Sequence, residues 1–353
     1  MINDIKIAFI WTRMPPYAIA CLSNLKKIIG NNLFIGIYGQ PPAHVSKRML
    51  SSLGNYKNYN YVDHDKLQTK RIINDLELFN PQVIIVTGWS FKTLRLVSKY
   101  FRNKNKITVS MVDTPWKGTF KQTVRALIGK RILKKCFSKV WIPGIQSKFL
   151  MNFIGFKDQS VWDYLYCCDT NIYVPEFNKE KSKYFIFIGR LEKEKNIIGL
   201  VDAFKEFYKN NLDYKLIVVG DGSERYLFEG VKGIECLGWK RSHEIVKYLN
   251  KSNGFILPSI YEPWGVVVHE AASCGIPLLL SNKIGSKHEF LINNYNGKLF
   301  NPYDKFDIVS AMNFVKNNNI NNIMGKRSYE ISKRLNIDSW TKNFLMNIKN
   351  FMK

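Results

Sequence analysis

Short runs of β-branched and aromatic residues, each followed by a longer stretch with helical periodicity, recur along the chain and constrain its fold more than any other feature. Strands that are apolar on both faces belong to parallel sheets covered by helices on both sides. A first series reads as strands at Lys6–Trp11, Phe34–Tyr38, Val83–Thr87, Ile107–Val112 and Val140–Ile142, and a second at Tyr184–Ile188, Lys215–Val219, Gly254–Leu257 and Pro277–Ser281. Two series predict an α/β chain of two Rossmann-like doubly wound domains facing a cleft.

The length of 353 residues accommodates two such cores. Asp169–Lys183, with Pro175 and mixed charge, is the predicted linker, giving domains over 1–172 and 173–335 and a terminal helix over 336–353 that packs back on the first domain. No apolar run approaches the roughly 18 residues of a membrane span, and the opening residues lack the features of a secretory signal. The six cysteines show no paired spacing and the histidines do not complete a metal site, so a cytoplasmic protein without structural metal is expected.

Charge adds a second constraint. The net charge is +25, of which residues 1–172 carry +17. Residues 92–139 hold fourteen basic side chains and one acid, Asp113. In Thr119–Phe137 the apolar Phe120, Val124, Leu127, Ile128, Leu133 and Phe137 recur at roughly helical spacing, with Lys121, Arg125, Lys130, Arg131, Lys134 and Lys135 between them. That combination suits a helix lying on an anionic membrane surface; the alternative is an amphipathic helix packed on its own sheet with a solvated basic face.

Two segments carry the chemistry. In Gly189-Arg-Leu-Glu-Lys-Glu-Lys195 a buried strand runs into a loop that ends in cations, and in open α/β sheets ligands bind beyond the carboxyl ends of the strands. Arg190 and Lys195 can there neutralise an oxyanion such as a diphosphate leaving group. In Leu257 to Pro277 a strand leads to a loop with Glu262, then Trp264, Gly265 and Val266, then a helix that carries Glu270, so two carboxylates eight residues apart can face one cleft at different depths.

Taken together, Gly-Arg-Leu-x-x-Glu-Lys, the Val-Val-Gly-Asp-Gly-Ser-Glu of 218–224, and Glu-x7-Glu with Ala-x-x-x-Gly-x-Pro after it closely resemble the nucleotide-sugar half of retaining family 4 glycosyltransferases (glycosyl transferases group 1) of the GT-B fold. The resemblance is strong over about 180–300 and weaker over 140–173, at Pro143-Gly144 and Cys168-Asp-Thr-Asn171. It implies that Arg190 and Lys195 hold the donor diphosphate, that Glu270 bonds the ribose hydroxyls, and that Glu262 with the amides around Trp264–Val267 holds the donor sugar. Gly189, Gly222, Trp239 and Lys240 fall on donor-binding positions, the last two beside the base. The implied donor is a UDP-linked sugar, with no other cofactor and no metal. The implied acceptor is a polyprenyl-diphosphate-linked or other saccharide, for a surface polysaccharide, and the basic Thr119–Phe137 region adds the expectation that it is met at the inner face of the cytoplasmic membrane.

The first loop departs from the family. Trp11-Thr-Arg-Met-Pro-Pro-Tyr17 stands where many members have paired glycines, which gives Arg13 and Tyr17 a part in acceptor or phosphate contacts. Asp113, in Val112-Asp-Thr-Pro-Trp116, either faces the donor sugar or acceptor as a catalytic group or simply forms the turn. Asp63-His-Asp65 matches an Asp-x-Asp metal motif without the preceding buried strand, and His269, beside Glu270, is expected to have a packing or surface role rather than a catalytic one. Competing readings are an epimerase or phosphorylase of the same fold, or a nucleic-acid-binding protein. The last rests on charge alone, with no binding module to support specific recognition.

Overall fold

The computed structural model describes residues 5–40, 45, 47–59, 66–178, 180–319 and 322–350. The chain divides into two compact units, one formed by Met1–Cys167 with Ile337–Lys353 and the other by Cys168–Asn336. The divide falls at Cys167/Cys168, one residue ahead of the predicted linker's start at Asp169 and five ahead of the predicted 172/173 boundary.

Among the described residues, seven strands build the first unit: β1 (Ile7–Thr12), β2 (Leu33–Tyr38), β3 (Lys57–Tyr59), β4 (Val83–Thr87), β5 (Ile107–Met111), β6 (Lys139–Trp141) and β7 (Val161–Trp162). They form one sheet in the order β3-β2-β1-β4-β5-β6-β7, and every pairing is parallel. The order reverses between β1 and β4, which makes their carboxyl ends the place where such a sheet opens a crevice. Ile10, Tyr38, Val86, Phe101, Phe137 and Ile142 are among the buried side chains of its core.

The terminal helix Ile337–Lys349 belongs to this unit. Its Trp340 and Phe344 are buried, with ring centroids 5.3 and 5.1 Å from Trp141, and Phe344 lies 5.5 Å from Phe9. The Trp340 indole N–H donates to the Leu165 carbonyl at 3.1 Å, and Asn24 donates to Asp338 and Thr341. Trp340→Ala would leave both a void and an unpaired carbonyl, so it is expected to destabilise the first unit by about 3–5 kcal/mol, read from its denaturant midpoint.

The second unit has β8 (Tyr184–Ile188), β9 (Lys215–Val219), β10 (Ile234–Gly238), β11 (Gly254–Leu257), β12 (Leu278–Ser281) and β13 (Gly297–Phe300). Their order is β10-β9-β8-β11-β12-β13, again parallel throughout, with the reversal between β8 and β11. The chain is thus α/β, with two doubly wound sheets.

Helix Phe120–Cys136 differs from its expected patterning. Only Ala126, Leu133 and Cys136 of this helix are buried, whereas Phe120, Val124, Leu127, Ile128 and Ile132 are exposed, Phe120 at 85%. Among the described residues, no helix is long and apolar enough to cross a membrane.

Candidate active site

In the second unit, the loops after β8, β9, β11 and β12 are knit together at the carboxyl edge of the sheet. The β9 loop can lie directly on the β8 loop because of two glycines. A Cβ on Gly220 would sit 1.8 Å from the Gly189 carbonyl oxygen, and one on Gly222 would sit 2.5 Å from that of Leu191. Backbone bonds from Leu191 to Asp221 and from Glu224 to Leu191, at 2.9 and 2.8 Å, fix the contact. The Ser223 hydroxyl adds a bond to Glu192 at 2.7 Å. Gly220 and Gly222 therefore act here through the main chain they allow to approach, and Gly189 contributes the carbonyl that Gly220 lies against.

The β8 loop ends in a single turn, Lys193–Lys195, closed by Asn196 at φ 57, a left-handed conformation that asparagine tolerates better than most residues. This turn aims Lys195 at the β11 loop, where its ammonium pairs with the Glu262 carboxylate. Arg190 instead pairs along its own loop with Glu194 at 2.5 Å. The Lys195 and Glu262 side chains are 11% and 14% exposed, while Arg190 is 72% exposed. Sequence reading assigned Lys195 and Glu262 to different parts of a ligand; the structure joins them to each other.

The β11 loop is held from both sides. Ile260 N–H donates to the Glu194 carbonyl at 2.9 Å, and Gly285 N–H to the Glu262 carbonyl at 3.0 Å. A Cβ on Gly285 would lie 1.9 Å from the Pro263 oxygen, so only glycine allows that closeness. Trp264 is buried, Gly265 takes φ 88, and Val266 opens the helix Val266–Ser273.

Glu270 lies in that helix and is half-buried. Burial pushes its carboxyl up to about 7, with the Tyr173 hydroxyl bond opposing and the nearby Asp169 charge adding to the rise. Tyr173 also meets Ser242, and burial raises Asp169 too. Sequence reasoning assigned no role to Asp169 or Tyr173, although Asp169 lies in the quoted Cys168-to-Asn171 segment. The neighbouring His269 is fully within the fold: its Nδ1 accepts from the Cys168 N–H at 3.2 Å, its ring stacks on Phe290 at 4.5 Å, and burial lowers it to about 3. Neutral and enclosed, His269 packs. Trp239 and Lys240 follow edge strand β10, with Trp239 49% exposed.

In the first unit, Asp113 follows β5 and accepts from the Tyr166 hydroxyl at 3.0 Å. Tyr166 packs edge-on against Tyr17 at 5.4 Å, and Tyr17 against Trp11 at 6.4 Å. Arg13, at φ 50, lies in the loop between β1 and Tyr17. Tyr166 is a further addition to the residues found by sequence. Asp63 and Asp65 lie outside the described residues, and among those described no acidic, histidine and cysteine cluster could hold a metal.

Two doubly wound sheets, the second with cations and carboxylates meeting at its reversal point, define the GT-B class of glycosyltransferase architecture. The Anabaena protein HepE in complex with UDP superposes with a TM-score of 0.80 over 98% of this chain and all of that one, at 14% identity. Sucrose-phosphate synthase from Thermosynechococcus elongatus does so at 0.75 over 99% of each, at 16% identity. Residues 169–331, nearly the whole second unit, match the family model of glycosyl transferases group 1 and form a domain of that kind. An Escherichia coli UDP-Gal:alpha-D-GlcNAc-diphosphoundecaprenol alpha-1,3-galactosyltransferase is 31% identical over 158 residues, 42% of this chain and 40% of that protein. An uncharacterized glycosyltransferase of Methanocaldococcus jannaschii is 26% identical over 47% of each. The chain thus spans under half the length of these curated relatives.

Proposed function

We propose that the chain is a retaining glycosyltransferase that moves a hexose or N-acetylhexosamine from a UDP-linked donor to a saccharide acceptor carried on a polyprenyl diphosphate. The observation that carries this reading is the pairing of Lys195 with Glu262 across two loops at the reversal point of the second sheet, with Arg190 on the same loop as Lys195, inside a glycosyl transferases group 1 domain. Arg190 and Lys195 neutralise the diphosphate as the bond from the sugar C1 to its oxygen breaks, and the acceptor oxygen bonds to C1 on the same face. Glu262 holds the sugar through its hydroxyls. These cations take the leaving-group charge in a reaction that proceeds in EDTA. Trp239 and Lys240 border the base, and Asp113, steadied by Tyr166, acts on the acceptor side.

The setting we propose is the inner face of the cytoplasmic membrane. Helix Phe120–Cys136 supports it by exposing apolar and basic side chains together. The E. coli relative named for a diphosphoundecaprenol-linked acceptor supports the choice of acceptor. A panel of nucleotide sugars, offered with a polyprenyl-diphosphate saccharide and read by NMR of the product anomer, tests the reading. Transfer from none of them, or an inverted product, would overturn it.

A pH dependence follows from Glu270. An ionised carboxylate is an acceptor only, suited to two ribose hydroxyls, whereas the protonated form can accept fewer. With its carboxyl raised to about 7, Glu270 is mostly protonated at pH 6 and mostly ionised at pH 8. Donor KM is therefore expected to fall by up to about tenfold between those values. The step should vanish in Glu270→Gln, in a KM profile measured against pH.

A further inference from the structure

The two site cations are held in unlike ways. Arg190 is an open side chain paired within its own loop, but Lys195 is shielded, and its carboxylate comes from 67 residues away on a different loop. We propose that Glu262 is a specificity-determining residue that makes the site favour a sugar-bearing nucleoside diphosphate over the sugarless one, because it competes with phosphate for Lys195 until sugar hydroxyls engage it. This rests on the proposed roles of Lys195 toward the diphosphate and Glu262 toward the sugar.

A diphosphate that reaches Lys195 brings its charge beside a carboxylate already using that ammonium. Where water is largely excluded, their repulsion is poorly screened. Glu262 can only accept hydrogen bonds, and a bare diphosphate offers it acceptors alone. Sugar hydroxyls are donors, so a loaded donor satisfies Glu262 at the moment Lys195 turns to phosphate. The backbone suits such an exchange. The main chain of Glu262 is fixed by Gly285 N–H and by its bridge to Ile284, so only the side chain needs to move. Beside it, a Cβ on Gly265 would lie 3.0 Å from Glu262 Cγ, and the glycine leaves that space clear.

The same competition acts after transfer. The C1–oxygen bond breaks with its electron pair on the diphosphate, the acceptor oxygen bonds to C1, and the acceptor's proton leaves with the diphosphate or solvent. What remains is the sugarless ligand that Glu262 disfavours, so the residue also speeds product departure.

Binding of UDP and UDP-glucose, by titration calorimetry on the full chain, tests the proposal in wild type, Glu262→Gln, Lys195→Ala and the double variant. UDP is expected to bind Glu262→Gln about tenfold tighter than wild type, while UDP-glucose gains less or loses, and UDP inhibition strengthens in step. The gain should disappear in the Lys195→Ala background. Glu262→Ala, checked by melting temperature, should move UDP affinity the same way and guards against a defect peculiar to glutamine. An unchanged or weaker UDP affinity in both Glu262 variants overturns the proposal, as does an equal gain for both ligands. Equal UDP binding by wild type and Lys195→Ala, or no binding of UDP, GDP or ADP by wild type, overturns the underlying role of Lys195 instead.

Discussion

Arg190→Ala and Lys195→Ala are each expected to lower turnover at least about a hundredfold, the scale of loss when a group aimed at developing charge is removed. Their effects on stability should differ. Arg190 is mostly in solvent and its ion pair is of the kind that contributes little, so its alanine variant should melt with wild type. Lys195→Ala leaves the shielded Glu262 carboxylate without its cation, at a cost of about 1–3 kcal/mol. Arg190→Ala is therefore the cleaner probe of chemistry, measured as kcat with saturating donor. Wild-type turnover in a folded Arg190→Ala would remove that residue from the leaving-group site.

The second large effect concerns the surface. Reversal of Lys121, Arg125, Lys130, Arg131, Lys134 and Lys135 to Glu is expected to abolish binding to anionic vesicles. Each basic residue near such a surface contributes about 1 kcal/mol, so six together account for roughly 10⁴ in partitioning. Exposed Phe120, Leu127 and Ile128 on the same helix would then lack the attraction that brings them to the interface. Flotation at physiological salt measures the partitioning. Transfer to a lipid-linked acceptor should fall far more than transfer to a soluble one. A reversed protein that still floats with anionic vesicles would show that the charge does not dock the chain.

Legibility from sequence followed burial. Central strands such as Val83–Thr87 and Gly254–Leu257 are covered on both faces and stand out as apolar runs. The four strands that were missed, β3, β7, β10 and β13, are the outer edges of the two sheets. An edge strand is short or mixed in character, as Lys57–Tyr59 is, and carries little periodic signal. Arg190, Lys195 and Glu262 were legible because strand ends and spacing place them. The Lys195–Glu262 pairing was not, since it depends on how two loops 67 residues apart are tied by Ile260 to Glu194, with Gly285 holding Glu262 from a third loop. Tyr173 and Asp169 reach Glu270 from about a hundred residues upstream, where local pattern is silent. In Phe120–Cys136 the apolar positions were visible, but spacing alone did not tell that only Ala126, Leu133 and Cys136 of the helix are covered while Phe120, Val124, Leu127 and Ile128 stay exposed.

The first unit's use of both chain ends sets a schedule for its assembly. A ribosome that has released residue 167 must still add the whole second unit before Ile337–Lys349 appears. At about 5–20 residues per second, that interval is roughly 10–35 s. Throughout it the rings of Phe9, Trp141 and Trp162 await Trp340 and Phe344, and an unfinished chain presents an aromatic surface to whatever chaperone or aggregate meets it first.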